Sequence, residues 1–581
     1  MEKEKDSILR FLFRFFDFFV LTFLVFDFGY NINDSLQAPK MYGLVVVTVV
    51  MFAFNIIKFR YFRTTARRNI ARTNSWILGL LLGLSALVAL ANIGQPVLAI
   101  LRTVRPILDT GLILYFILRL LILVRYIYEI YYNPAIVFVG SFFALIMLGA
   151  FLLMLPTATT HPISFTDALF TSVSAVCVTG LSVLNVSADF TVFGQTIILC
   201  LIQIGGLGIL TFTSFFAYFF RGSSSFREGL NVRDFTGQEN LQDVLKVALQ
   251  IVAFTLSIEI LGAIFMYFSL MNEAVIGNRI FFAIFHSVSA FCNAGFSTVS
   301  NGFSEQYLKY HYYFQWIAMF LIILGGLGYN IIYNFYQYIK SHVVELMRGR
   351  IHKKVRVITL NASIILYTTV ILLGAGFLFF FISEYDRSLA DHPTDFGKFT
   401  AAAFHSVTPR TAGFNTVDYS QMAVSSLLFV MLLMWIGASP ASTGGGIKTS
   451  TFALATLNIF SIARGRSRIQ ILGRRISSES TSRAFAILSI SLIVIGAAIM
   501  ALLIFEPQGT DLMTVAFECF SAYSTVGLTL NFTPLMSEPS KYVIMIVMFI
   551  GRIGMLNLMI GMLRQIQHQF YEYPKENILI N

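Results

Sequence analysis

Gly180, Gly295, Gly413 and Gly527 stand 115, 118 and 114 residues apart in a chain of 581. Each ends a short run opened by a phenylalanine, at Phe170, Phe285, Phe404 and Phe517, ten residues earlier in three copies and nine in the third. Glycine admits backbone angles that other residues resist, so a loop built on it can turn its carbonyls inward. Rings of such carbonyls replace the hydration shell of an alkali cation. The candidate ion-binding positions are Val178, Thr179, Gly180 and Leu181; Asn293, Ala294, Gly295 and Phe296; Thr411, Ala412, Gly413 and Phe414; and Thr525, Val526, Gly527 and Leu528. None is a carboxylate, which opposes a calcium-type ring of acids, and an anion path would want arginine there instead. One such run reads as a packing turn. Four at near-equal spacing read as one filter.

A second constellation interrupts the apolar stretch 421–463, where Gly437, Ser439, Ser442, Thr443, Gly444, Gly445 and Gly446 surround Pro440. Each glycine costs a helix about 1 kcal/mol relative to alanine, and proline about 3 kcal/mol. An irregular loop below the filter is expected, its hydroxyls and free carbonyls facing water. The triple glycine before Lys448 is not a phosphate loop, because Ile447 intervenes, no strand precedes it and it lies in a membrane span. Arg552 lies eleven residues past Lys541, about 16 Å into its helix. An arginine at that depth costs at least about 2.5–3.5 kcal/mol and needs partners. Either neighbouring helices satisfy it as structure, or it hydrogen-bonds the 437–446 carbonyls and bars cations until the loop moves. The second reading is favoured.

Composition supplies the scaffold. Hydrophobic residues make up 56% of the chain and charged residues 12%, about half the roughly 25% of a soluble domain. A bilayer core takes about 20 residues of helix. A dozen stretches qualify: 11–28, 41–57, 76–101, 110–132, 135–155, 192–220, 247–271, 312–339, 358–383, 421–463, 482–505 and 541–567. A soluble enzyme is excluded, as is a β-barrel with its alternating strands. The first stretch carries Arg14 and Asp17 without an obvious cleavage site, so a retained helix is expected. The net charge of +11 falls in short loops and reads as topology, not as a nucleic-acid surface. Basic segments 58–72, 340–356 and 464–475 share one side, which is then the cytoplasm, and the acidic 384–395 faces the other. Both termini come out cytoplasmic. Cys177, Cys200, Cys292 and Cys519 have no close pairing or metal-ligand spacing, so neither a disulfide nor a transition-metal site is expected.

The expected fold is therefore an all-α polytopic membrane protein built on four repeats of outer helix, short re-entrant helix, glycine loop and inner helix around a central ion pore. The repeats are placed at 135–220, 221–340, 341–463 (with the broken inner helix) and 464–581 (with a short cytoplasmic tail). Residues 1–134 add about four transmembrane helices. The re-entrant runs are too short to cross, and irregular backbone at membrane depth must be buried or line water. Their C-terminal ends, each worth about −0.5 charge, face the cavity.

With these loops, the segment Pro409 to Phe414, the run Gly437 to Thr449 and Gly551-Arg552-Ile553-Gly554, residues 135–570 resemble the Trk/Ktr/HKT superfamily of potassium transporters. The resemblance implies K⁺ uptake across the inner (cytoplasmic) membrane, sometimes with Na⁺ dependence or permeation. In that superfamily glycine in all four loops goes with K⁺, and serine in the first goes with Na⁺. It also implies K⁺ at the filter, the gating role of Arg552, a homodimer of pores and a separate cytosolic nucleotide-binding ring. Segments 340–356 and 464–475 are the candidate docking surface for that ring. The first loop resembles the Ktr branch, while the helices of 1–134 leave Trk against Ktr open. Membrane lipid is the other expected partner. No cofactor is expected beyond the transported K⁺, and no ATP site or regulatory domain of the chain's own.

Arg410 is expected behind the third loop as a strut, paired with a carboxylate such as Glu518 or Asp395. Cys177 and Cys292 read as packing, and Glu259 as a paired structural acid in preference to a coupling site. His286 and His405 read as pore-helix hydrogen-bond or packing residues. Gly205-Gly206-Leu207-Gly208 and Gly325-Gly326-Leu327-Gly328 read as points of close helix contact. An ion-coupled carrier for a larger solute would show inverted repeats and a roomy polar pocket, and an enzyme would need a nucleophile or ligand spacing near the histidines. The direct repeats and narrow loops favour the ion path.

Overall fold

A computed structural model describes residues 19–554 except 21, 31–33, 62–64, 131–133, 220–243, 272, 274–275, 349–358, 441, 467–468 and 472. Residues 22–29 are helical and precede α1 (Asp34–Tyr61), α2 (Thr65–Ala91) and α3 (Val97–Ile130), which pack on one another. The turn between α2 and α3 falls at 92–96, earlier than the expected break between 101 and 110. Gly94, at φ +110°, and Pro96 account for it, since proline cannot continue a helix already ended by a left-handed glycine.

The first repeat comprises α4 (Pro134–Leu153), α5 (Phe165–Cys177) and α6 (Val192–Phe219). The second comprises α7 (Val244–Ser269), α8 (Arg279–Cys292), α9 (Tyr312–Leu327) and α10 (Tyr329–Arg348). The third has α11 (Leu360–Ser383), α12 (Asp395–Val407), α13 (Val424–Trp435) and α14 (Thr449–Ala463), and the fourth α15 (Ser478–Phe505), α16 (Leu512–Ser524) and α17 (Glu538–Ile553). A two-residue antiparallel pair, Gln470–Ile471 with Arg474–Arg475, links α14 to α15. The span expected as one helix over 312–339 is instead bent by 100°. Gly328, at φ +75°, caps α9 and turns the chain. The helix expected over 541–567 ends at Ile553, before Gly554 at φ +83°, and the rest of that stretch lies outside the described residues.

Among the described residues, five helices are long and apolar enough to cross a membrane, and the bent pair makes a sixth. Other expected spans are shorter apolar helices, such as Val424–Trp435 and Thr449–Ala463, which together make the broken span. The outward faces carry Phe143, Phe151, Ile260, Phe265, Val370, Ile371, Ile493 and Ile546, all exposed. Large apolar side chains facing outward over many helices are a lipid-facing belt. The chain is a multi-pass membrane protein.

The four short helices α5, α8, α12 and α16 sit inside this belt. Each starts at a side-chain cap: Ser164, Asn278, Thr394 and Asp511 accept from the backbone N–H three residues on, a bond worth about 1 kcal/mol at each end. Ion pairs tie neighbouring repeats, Lys541 to Asp167 at 2.7 Å and Lys309 to Asp391 at 2.7 Å.

The loop between α11 and α12 contains His392, of which 1% is exposed. Its Nδ1 lies 3.3 Å from the Tyr312 hydroxyl. Burial, then the nearby Lys309, pushes it from 6.5 down to about 4. The folded loop therefore keeps His392 neutral where the unfolded chain would protonate it. Stability is complete above the unfolded value and is lost as pH falls toward the folded one, by at most about 2 kcal/mol at pH 5. Hydrogen exchange in 384–394, corrected for intrinsic rates, is expected to be faster at pH 5 than at pH 7. Equal protection would contradict this.

Candidate ion pathway

The short helices deliver the four loops to one place. α5, α8 and α16 end in left-handed caps, Val178 (φ 57°), Asn293 (φ 59°) and Thr525 (φ 50°). In the third repeat the turn over Thr408, Pro409 and Arg410 delays that conformation to Thr411, at φ 72°. Two residues later come Gly180 (φ 92°), Gly295 (φ 69°), Gly413 (φ 75°) and Gly527 (φ 93°). All four loops thus place positive φ at the first and third positions around Thr179, Ala294, Ala412 and Val526.

The loops close on one another in order. A Cβ added to Gly180 would strike the Ala294 carbonyl oxygen, one on Gly295 that of Ala412, one on Gly413 that of Val526 and one on Gly527 that of Thr179, all at 2.9 Å or closer. Each glycine is therefore pressed against the next repeat, and the fourth returns to the first. Among the described residues, the carbonyl oxygens of 178–180, 293–295, 411–413 and 525–527 accept no hydrogen bond. Buried carbonyls are normally paired, so an unpaired set in a closed ring offers itself to a cation.

Leu181, Phe296, Phe414 and Leu528 follow the glycines and are buried behind them. Hydroxyls in the short helices brace the loops in two ways. Ser174 and Ser521 accept from the N–H of Gly180 and Gly527, at 3.1 and 3.0 Å. Ser289 and Thr408 instead donate to the carbonyls of Phe296 and Phe414, at 2.7 and 2.6 Å. Sequence reading did not single out these braces, although they recur five or six residues before each glycine. On one side of the ring opens a cavity of about 650 Å³, lined by all four glycines and carrying Asp189 and Asp418. Acidic walls raise the local cation concentration.

On the other side sits the interrupted segment. Gly437 N–H donates to Ile447 at 2.8 Å and Thr449 N–H to Ala438 at 3.1 Å, closing the loop's base. Gly444 and Gly445 lie against the Thr411 and Thr525 hydroxyls, where an added Cβ would overlap them. The bend after α9 explains how the loop is held. A helix end leaves carbonyls without intrahelical partners, and the loop supplies donors. Thr443 N–H bonds Gly325 at 3.3 Å, Ser439 N–H bonds Gly326 at 3.0 Å, and the Ser439 hydroxyl bonds Leu327. Thr443 Oγ1 reaches the Phe291 carbonyl at 3.2 Å, Ser442 Oγ bonds Ser439 at 2.6 Å, and Lys448 Nζ donates to Gly444 at 2.6 Å. Gly446, at φ +64°, makes the turn.

Arg552 completes this layer. Its Nη1 donates to the Thr443 carbonyl and its Nη2 to the Gly205 carbonyl. One guanidinium thus joins the fourth repeat to the third-repeat loop and to the first inner helix. Gly205, Gly325 and Gly551 each abut a carbonyl near the end of a short helix, those of Val176, Phe291 and Tyr523. These glycines do permit close approach.

A family profile described as "TrkH: Cation transport protein" matches residues 131–572. The chain belongs to this family. It is 34% identical over 446 residues to Ktr system potassium uptake protein B of Bacillus subtilis, covering 76% of this chain and 96% of that protein. It is 35% identical over 439 residues to the Vibrio alginolyticus protein of the same name, covering 76% and 93%. Potassium/sodium uptake protein NtpJ of Enterococcus hirae is 33% identical over 454 residues, covering 77% and 97%. The crystal structure of the potassium transporter TrkH from Vibrio parahaemolyticus shares the fold, with a TM-score of 0.59 at 18% identity over 89% of this chain and 97% of that one. The TrkH-family chain is thus a cation transport protein and not an enzyme.

One expectation about side-chain partners needs correction. Arg410 pairs with neither Glu518 nor Asp395. Glu518 accepts from the Thr533 hydroxyl, Asp395 is exposed at the start of α12, and Arg410 Nη2 donates to the Gly437 carbonyl at 3.4 Å. The turn at Pro409 shortens the third loop and aims Arg410 at the interrupted segment. Among the described residues Glu259 has no ion-pair partner, and its partners are hydrogen-bond donors. Its carboxylate accepts from Gln203 Nε2 at 3.0 Å and from Cys292 Sγ at 3.6 Å. Cys177 and Cys292 are buried at the ends of α5 and α8. His286 lies 2.9 Å from Ser297 Oγ, and His405 Nδ1 lies 3.2 Å from the Tyr419 hydroxyl.

Proposed function

We propose that this protein takes up K⁺ across the cytoplasmic membrane through the ring of Gly180, Gly295, Gly413 and Gly527. What carries the reading is the closed order of the four loops with their unpaired carbonyls. Its relatives, named as potassium and potassium/sodium uptake proteins, agree in substrate class. Membrane potential supplies about 2.3 kcal/mol per charge per 100 mV, roughly fiftyfold accumulation, so uptake needs no ATP site.

In this reading the 437–448 loop and Arg552 form the closed gate directly beneath the ring. Both termini face the cytoplasm. A homodimer and a separate nucleotide-binding ring on the basic cytoplasmic face would supply the force that moves the loop, with segments 340–356 and 464–475 as the docking surface. Na⁺ enters as a competing or accompanying ion.

The test is ⁸⁶Rb⁺ uptake into liposomes holding the purified protein, driven by a K⁺ gradient, with graded external Na⁺. Uptake that K⁺ blocks and Na⁺ blocks poorly supports the reading. Silence in both the wild type and Arg552→Ala would overturn it. Lys448→Met is expected to free the Gly444 carbonyl and raise uptake about tenfold, for a loss of about 1.5 kcal/mol from the charged hydrogen bond that holds the loop in its folded shape. Uptake below wild type at equal folded protein would contradict a role for Lys448 in holding the gate shut.

A further inference from the structure

Arg410 is 9% exposed, and among the described residues no carboxylate lies within 4.0 Å of it. Its Nη2 reaches one carbonyl, and its Nε finds no acceptor. It lines a cavity of about 20 Å³ between the second and third repeats, together with Thr369, Leu373, Val407, Gly326 and Ala438. The Thr369 hydroxyl, on a side chain 7% exposed, also has no partner. A buried cation left unpaired is strongly disfavoured. Both unpartnered groups can donate, and the walls between them are apolar. A cavity of this size slightly exceeds the roughly 10–15 Å³ that one water-sized particle needs.

We propose that this cavity binds one halide-sized monovalent anion, held by the Nε–H of Arg410 and the hydroxyl of Thr369. The anion replaces the carboxylate that the fold omits. Arg410 directly precedes Thr411, Ala412 and Gly413, so an uncompensated charge there would repel a cation in the third filter loop. The bound anion is the counter-ion that leaves the ring hospitable to K⁺. Larger anions such as gluconate do not fit.

Anomalous diffraction from crystals grown in bromide tests the site itself and does not depend on the transport reading. A bromide peak within hydrogen-bond distance of Arg410 Nε and Thr369 Oγ1 is expected. It should vanish in Arg410→Gln and weaken in Thr369→Val, a change of nearly equal shape that keeps the fold should the arginine variant fail. An ordered water without anomalous signal in saturating bromide would overturn the proposal. Replacing chloride by gluconate should lower wild-type ⁸⁶Rb⁺ uptake about tenfold, an effect reduced in Thr369→Val at equal chloride. Equal wild-type uptake in the two salts would overturn the counter-ion role even where bromide binds.

Discussion

Serine at position 413 is expected to lower ⁸⁶Rb⁺ uptake about a hundredfold and to erase the preference for K⁺ over Na⁺. Two costs combine. A left-handed backbone costs a residue bearing Cβ about 1–2 kcal/mol relative to glycine, and Gly413 sits at φ +75°. The new Cβ also lands on the Val526 carbonyl oxygen of the next loop, which must move out of the ring. Displacing one carbonyl perturbs coordination from two adjacent repeats at once. A total near 3 kcal/mol corresponds to about two decades of rate. Gly374→Ala is the matched control, since it lies in α11 of the same repeat with nothing within 4 Å of an added Cβ. Its uptake should equal wild type. Wild-type selectivity in Gly413→Ser would remove the third loop from the pathway.

Truncating Arg552 is expected to act in the opposite direction, raising uptake by the protein alone at least thirtyfold. A positive charge about 8 Å from a cation costs it about 2 kcal/mol at an effective dielectric of 20, which is about thirtyfold in rate. Arg552→Ala also releases the Thr443 and Gly205 carbonyls, so the loop loses its anchor to the first and fourth repeats. Arg552→Lys should fall between, because an ammonium lacks the planar fork that reaches two carbonyls together. Folded Arg552→Ala protein with unchanged or lower uptake would make the arginine a structural tie.

Much of this layout was legible in the sequence, for physical reasons. Phenylalanine and glycine recur ten residues apart in three runs and nine apart in the third repeat's run, because each run must bury one end and turn at the other. Arg552 declared itself by its depth, and one of its two acceptors, the Thr443 carbonyl, falls in the expected 437–446 segment; the other, the Gly205 carbonyl, was not legible as a partner. The partners of Arg410 were not legible. An arginine beside a filter suggests a carboxylate, but the nearest acids in sequence logic, Glu518 and Asp395, belong to a hydroxyl pair and to an exposed helix start. Gly328 was missed because Gly-Gly-Leu-Gly reads equally well as a close-packing motif. Only its left-handed backbone ends α9 and exposes the carbonyls that hold the gate loop. Hydropathy, continuous across 312–339, carries no trace of that bend.

The ion itself is the most direct witness. Crystals of the intact protein in Rb⁺ in place of K⁺ should show anomalous density on the axis between Gly180, Gly295, Gly413 and Gly527, coordinated by the unpaired carbonyls and displaced by excess K⁺. Density anywhere else along the chain, with that axis empty at saturating Rb⁺ in a protein that transports it, would contradict the four-loop filter.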